Sequence, residues 1–370
     1  MEISDLLHYA MESAASDLFV SAGKPPAFRR SGQVLPEGEE YLTAQEIDAF
    51  RKQCLTAKAE QEYHARGSYD SAYTLPTGER FRLNFLEALT GPAFVARPVY
   101  PGEALFFEEL GLPAATLAEM CTNKSGIIIV VGSTGSGKST TLAAMVNYIN
   151  HNFNKHIITI EDPIEFVHQN KNCTIVHREV GLQAESFPTA LRGAMRSDPD
   201  IVLIGEMREN DTMRLGLTCA AMGMLVFATM HTNNAPKTID RMIDAFPSNE
   251  QAQIRTMLAE CLQAIVSQLL CRKKSGGRVA VHEVLLWTDG LPNTIREGQI
   301  SNIRTIIDAG GGRGMKAMDN SIQAEFDAGN ISAEEAYMKA SDKGRFLPFL
   351  EAEEAAEKAA RAAAAEEEEA

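Results

Sequence analysis

Residues Gly126–Thr140 read GIIIVVGSTGSGKST. The apolar run Ile127–Val131 breaks at Gly132, and the eight residues from there fit G-x-x-x-x-G-K-[ST] at Gly132, Gly137, Lys138 and Ser139. Such an uninterrupted apolar run is the pattern of a buried parallel strand. The glycines let the backbone turn closely, so that N–H groups can point at phosphate oxygens. The helical stretch Leu142–Ile149 then adds the positive end of its dipole. In this arrangement the lysine is a point charge for the β- and γ-phosphates, and the serine hydroxyl serves Mg2+. Ser133, Thr134, Gly135, Ser136, Gly137, Lys138, Ser139 and Thr140 are the expected nucleotide-binding residues, with Mg2+ beside the phosphates.

Outward from the loop, strand and helix signals alternate from about Leu112 to Leu291, which predicts a mostly parallel α/β sheet. Ligands of such sheets lie at the carboxyl ends of the strands. Three further strand ends carry chemistry. His156–Ile160 runs into Glu161-Asp162-Pro163-Ile164-Glu165, a carboxylate cluster able to orient and deprotonate an attacking water. Ile201–Ile204 closes at Gly205-Glu206, an arrangement of the Walker B kind that serves Mg2+ directly or through water, although a strict pattern has Asp-Glu there. Leu225–Met230 ends at His231, placed to contact a γ-phosphate. Arg192 and Arg196 are four apart, so a helix would put them on one face, to meet phosphates or to pair with Asp198 and Asp200.

Residues 1–100 read as a small α+β domain. Helices are expected at Ile3–Ser13 and Ala44–Cys54, the latter with Thr43 as N-cap. Strands are expected at Asp17–Ser21, Phe28–Arg30, Ser71–Leu75, Arg80–Phe85 and Ala93–Pro98. Arg80 and Arg82 share a strand face, and Arg97 lies opposite on a neighbouring strand. By spacing alone this is either a solvated face or a phosphate contact. Residues 101–111 read as a linker, 112–291 as the nucleotide-binding core and 292–350 as a helical region. That region holds the segments Asn302–Ala309, Asp319–Ala328 and Ala333–Ala340, and Ser332 with Glu335 fits a capping box. Arg272-Lys273-Lys274 with Gly276-Gly277 reads as a hairpin loop. Residues 351–370 are an acidic Ala/Glu tail of low complexity, a frayed helix or a disordered one.

The formal charge is −15, of which the last twenty residues, with eight Glu, contribute −6 and leave −9 for residues 1–350. That balance argues against broad binding to nucleic acid and so against a DNA translocase. The six cysteines show no C-x-x-C spacing, which speaks against a zinc site and suits a reduced, cytoplasmic protein. The first residues lack the pattern of a signal peptide. The uncharged stretch Leu215–Met230 is too short to span a bilayer and suits a buried helix and strand.

Taken together, GSTGSGKST, ITIEDPIEF, REVGL (Arg178–Leu182), LRGAMRSDPDIVLIGEMR and FATMHTNNAPKTIDRMIDAFP resemble the hexameric secretion ATPases, in particular the type IV pilus retraction ATPases of the PilT/PilU kind. The resemblance spans about residues 1–345. It implies that the nucleotide is ATP, and it implies a PAS-like α+β N-terminal domain joined to a RecA-like ATPase domain with C-terminal helices, assembled as a homohexamer that retracts a pilus. It further implies Glu165 as general base, Glu206 as the Walker B glutamate, His231 as the His-box histidine and Arg82 and Arg97 as arginines brought to the nucleotide. Arg192 and Arg196 match ATPase-domain arginines. Implied partners are an inner-membrane pilus platform protein, through which a cytoplasmic chain becomes peripheral to that membrane, and a paralogous retraction ATPase. GLPNTIRE (Gly290–Glu297) keeps only the end of the retraction branch's AIRNLIRE helix, and the four-cysteine insert of extension and type II secretion relatives is absent. Within the branch, SDLFVSAG (Ser16–Gly23) is similar to the accessory paralogue, and KTIDRMIDAFP (Lys237–Pro247) to the main motor. An accessory PilU-like role and a type II secretion-like assembly ATPase are the alternatives.

Overall fold

A computed structural model describes residues 2–30, 32–102 and 105–368. The chain divides into two compact units: Met1–Pro101 with Pro163–Val167, and Gly102–Asp162 with His168–Ala370.

The first unit is built on an antiparallel sheet. Its strands are β1 (Asp17–Ser21), β2 (Ala27–Arg30), β3 (Gln33–Pro36), β4 (Ser68–Thr74), β5 (Arg80–Ala88) and β6 (Gly91–Pro101), in the order β3-β2-β1-β6-β5-β4. Helices α1 (Ile3–Glu12), α2 (Ala44–Cys54) and α3 (Ala57–Arg66) complete it. Strand β5 alternates perfectly at first, with Phe81, Leu83 and Phe85 buried and Arg80, Arg82 and Asn84 only partly so. The inward set packs on Leu18, Ile47, Phe50 and Phe94. Helix α2 begins with a full capping box, Thr43 and Glu46 each accepting from the other's backbone N–H.

The second unit holds a seven-stranded sheet made of β7 (Gly126–Val131), β8 (His156–Glu161), β10 (Thr174–Glu179), β11 (Ile201–Ile204), β12 (Leu225–Met230), β13 (Leu262–Arg272) and β14 (Arg278–Leu286). The intervening β9 (Phe166–Val167) pairs in parallel with Tyr100 and Pro101 of β6 and is counted with the first unit. The order is β10-β8-β11-β12-β7-β13-β14, all parallel except the β13–β14 hairpin. Every residue of β7 is buried. Ile127, Ile129 and Val131 face one apolar cluster, while Ile128 and Val130 face another. A strand covered on both faces explains the unbroken apolar run in the sequence.

Helices α4 (Ala114–Cys121) and α5 (Lys138–Asn152) contribute to the second of these clusters, together with Phe107, whose ring stacks on Tyr148. The first cluster draws on α6 (Phe187–Ala194), α7 (Asn210–Ala221), α8 (Ala235–Asp244) and α9 (Ser248–Cys261). The chain continues as α10 (Leu291–Arg296), α11 (Ile303–Ala309), α12 (Met318–Asp327), α13 (Ala333–Lys339) and α14 (Lys343–Glu368). Of these, α12, α13 and the start of α14 pack with Cys271 and Val281 of the hairpin.

Local readings differ from the structure in four places. Helix α3 and the edge strand β3 were not expected. The capping box at Ser332 is half formed: Ser332 accepts from Glu335 N, but the Glu335 carboxylate accepts from Arg272 N instead. Arg192 and Arg196 do not share a helix face, because α6 ends at Ala194 and the chain turns there, Arg196 N donating to Gly193 O.

Among the described residues no helix is long and apolar enough to cross a membrane. All six cysteines are free thiols.

Candidate functional site

In the second unit β8, β11, β12 and β7 are adjacent and parallel, so their carboxyl ends form one edge. The phosphate-type loop leaves β7 there. Gly137 has φ +88° and caps α5. Ser133, Thr134 and Gly135 are exposed, Ser139 and Thr140 are half-buried, and Ser136 and Lys138 are buried. The Lys138 ammonium donates to the carbonyl oxygens of Gly132 and Ser133, each at 3.0 Å. Bonds between an ammonium and neutral carbonyls are the kind that an anionic phosphate would outcompete.

Glu206 and His231 follow β11 and β12. Their side chains meet, with Nε2 of His231 at 3.1 Å from Oε1 of Glu206, and Arg208 Nε donates to the same carboxylate. The glycine before Glu206 has a steric cause. A Cβ at position 205 would lie 3.1 Å from Cα of Glu161 and 3.3 Å from O of Ile160. The space that an aspartate of a strict Asp-Glu pair would need is taken by β8.

Glu165, Arg82 and Arg97 belong to the first unit. Glu165 is exposed, just ahead of β9. Arg82 and Arg97 are directly paired across β5 and β6. Like charges so placed repel, and the buried carboxylate of Asp17 offsets this: Oδ1 accepts from Arg97 at 2.7 and 3.0 Å, while Oδ2 lies 3.2 Å from Arg29. Asp200 does not pair with Arg192 or Arg196 in the contacts described; it binds Lys155 Nζ at 2.9 Å and accepts from His156 N.

Residues 3–336 match the family described as type II/IV secretion system protein. The chain belongs to that family. It is 42% identical over 340 residues to the type IV pilus retractation ATPase PilT of Pseudomonas aeruginosa, covering 92% of this chain and 98% of that one. It is 35% identical over 337 residues to the type IV pilus ATPase PilU of the same species, covering 91% and 88%. Among solved structures, that of the pilus retraction motor PilT with bound ADP superposes with a TM-score of 0.85 at 36% identity, covering 93% of this chain and 98% of that chain.

In this secretion-family chain several polar residues at the site went unnoticed in the sequence. Gln268 on β13 is buried and bonds both to the loop and to α5. Glu283 on β14, whose pKa burial raises, accepts from Ala235 N at the start of α8 and so fixes the helix that follows the His231 turn. Ser267-Gln268 between the apolar runs Ala264–Val266 and Leu269–Cys271, and Glu283 in the next strand, were the signals available.

Proposed function

We propose that this chain is a Mg2+-dependent ATPase that powers type IV pilus retraction, the process of twitching motility. One observation carries the reading: a phosphate-binding loop and a Glu206–His231 pair at the carboxyl ends of adjacent parallel strands, in a chain 42% identical over 340 residues to a pilus retraction ATPase. The similar pilus retraction motor PilT has been solved with bound ADP.

Lys138 exchanges its loop carbonyls for the β- and γ-phosphates, and the N–H groups of Ser133–Thr140 cradle them. The donors available for Mg2+ are the Ser139 hydroxyl and, directly or through water, the Glu206 carboxylate, both hard oxygens of the type this ion takes. An ion held by these oxygens would supply positive charge against the phosphates. Glu165 removes the proton of the attacking water, and His231, whose Nε2 lies 3.1 Å from Oε1 of Glu206, reports the γ-phosphate. Arg82 and Arg97 are the arginines that stabilise charge on the phosphates.

The working form is a homohexamer, cytoplasmic and peripheral at the inner membrane through a pilus platform protein. Association with a paralogous retraction ATPase accompanies this role. The greater identity to PilT than to PilU, 42% against 35%, favours the main motor over the accessory one.

The test is ATP turnover of the purified chain together with its mass in solution. The expected result is turnover that needs Mg2+, disappears in Lys138→Ala and accompanies a sixfold assembly. A monomer that hydrolyses no ATP with Mg2+ present would refute the proposal.

A further inference from the structure

Gln268 lies in β13, level with the end of β7, where Ser267 pairs with Val131. Its side chain is buried at 3% exposure. A buried primary amide is costly unless its donors and acceptor are used. Here they are used on the phosphate-type loop. Nε2 donates to the carbonyl oxygen of Ser136 at 2.7 Å, and Oε1 accepts from the Thr141 hydroxyl at 2.6 Å. The sense of the amide follows from chemistry, since a carbonyl oxygen only accepts and the hydroxyl is free to donate.

We infer that Gln268 is a positioning residue of the nucleotide site, setting the orientation of the Ser136–Gly137 peptide in the phosphate-binding loop. The inference rests on the ATPase reading above and deepens it. The carbonyl of Ser136 and the N–H of Gly137 share one planar peptide unit and point to opposite sides of it. Holding that carbonyl against β13 therefore turns the Gly137 N–H away from β13, the sense a loop needs if its N–H groups are to line a phosphate cradle. The same clamp explains why position 137 is glycine. Beyond its φ of +88°, a Cβ there would lie 2.7 Å from Nε2 of Gln268. Thr141, one turn into α5, holds the other end of the amide and keeps it from rotating. A bare packing role would be served as well by an apolar side chain of similar size, without the cost of burying an amide.

The experiment measures ADP binding to purified wild type, Gln268→Met, Thr141→Val and Lys138→Ala, alongside nucleotide-free melting temperatures and the KM and kcat for ATP. Gln268→Met keeps the volume and removes the donor. Its ADP dissociation constant should rise about tenfold or more, the size of one lost buried hydrogen bond expressed as an equilibrium ratio. The KM for ATP should rise by the same factor while kcat falls less, beside the modest fall in nucleotide-free melting temperature that two lost buried hydrogen bonds bring. Thr141→Val should weaken ADP binding by a smaller factor, and the double variant should bind no worse than Gln268→Met, because both act through one amide.

A lowered melting temperature with wild-type ADP affinity and KM would show a merely structural residue and overturn the inference. Should Gln268→Met fail to fold, Thr141→Val decides: unchanged affinity overturns the inference, weakened affinity supports it. Wild type that binds no ADP overturns the ATPase reading and this inference with it. Wild type that binds, beside a Gln268→Met that binds equally well, overturns the inference alone.

Discussion

Replacing Gly205 by alanine should damage the chain far more than a single methyl group suggests. The new Cβ would meet Cα of Glu161 at 3.1 Å and O of Ile160 at 3.3 Å. Both are backbone atoms of a strand hydrogen-bonded on each side, by β10 and β11, so they have little freedom to retreat. Nor is residue 205 free to move. Its N–H donates to Ile160 O at 2.8 Å, and its carbonyl accepts from Thr229 Oγ1 at 2.5 Å. Overpacking a closed site costs about 1–3 kcal/mol. Escaping it by a backbone shift would sacrifice two hydrogen bonds at about 1 kcal/mol each, so either route costs about 2 kcal/mol. For a unit of this size that corresponds to a fall in melting temperature of about 4–8 °C. Urea and thermal unfolding followed by circular dichroism measure it, with ATP turnover alongside to report displacement of the neighbouring Glu206. Gly205→Asp, which would restore the Asp-Glu pair of a strict Walker B strand, should be worse still, adding a carboxylate beside Glu161 and Glu206. Wild-type stability and turnover in Gly205→Ala would refute the steric account.

Other expectations are simpler. Glu165→Gln should keep nucleotide affinity while turnover drops by roughly 10²- to 10⁴-fold, the range for losing a general base, and near-normal turnover would remove Glu165 from that role. Arg82→Ala should leave stability within about 0.5 kcal/mol, as at other partly exposed sites, yet lower turnover of the assembled protein; unaltered turnover would return the Arg82–Arg97 face to a solvated surface. His168 and His282 are buried, and desolvation lowers their pKa values from 6.5 to about 3 and about 4. Below pH 6.5 the unfolded chain binds protons that the folded one does not, so stability should fall with acidification by up to about 1.4 kcal/mol per pH unit for each group. The loss should continue down to the folded pKa values, with no change above about pH 7.5. His282→Gln should flatten that slope in acid denaturation, and an unaltered slope would show the histidine to be protonated in the fold.

The nucleotide unit was legible because its signals are strong and local. A strand buried on both faces must be apolar throughout, as Ile127–Val131 is, and its loop chemistry is confined to consecutive residues. Glu206 and His231 were found by the rule of strand ends, but their meeting depends on β11 and β12 being neighbours, which no local pattern reveals. What escaped did so for physical reasons. Strand β3 is exposed at every residue and so has no alternation to detect. Helix α3 buries only Ala59 and Tyr63, too narrow a stripe to stand out among its charges. Glu335 promised a capping box by spacing, but a backbone N–H at Arg272, 63 positions earlier in the sequence, claims its carboxylate. Gln268 binds Ser136 and Thr141 from more than 120 positions away, and only the sheet brings them together.

Strand β9 changes what it means to take this protein apart. Five residues, Pro163–Val167, complete the first unit although they are supplied from the midst of the second. The chain thus passes between units after residues 101, 162 and 167, and no single cut separates them cleanly. A fragment ending at residue 101 would leave the outer edge of Tyr100 and Pro101 without its partner strand, and one beginning at residue 102 would carry Phe166 and Val167 with no strand to join. Genetic exchange of the first unit between relatives should accordingly succeed only when residues 163–167 travel with it.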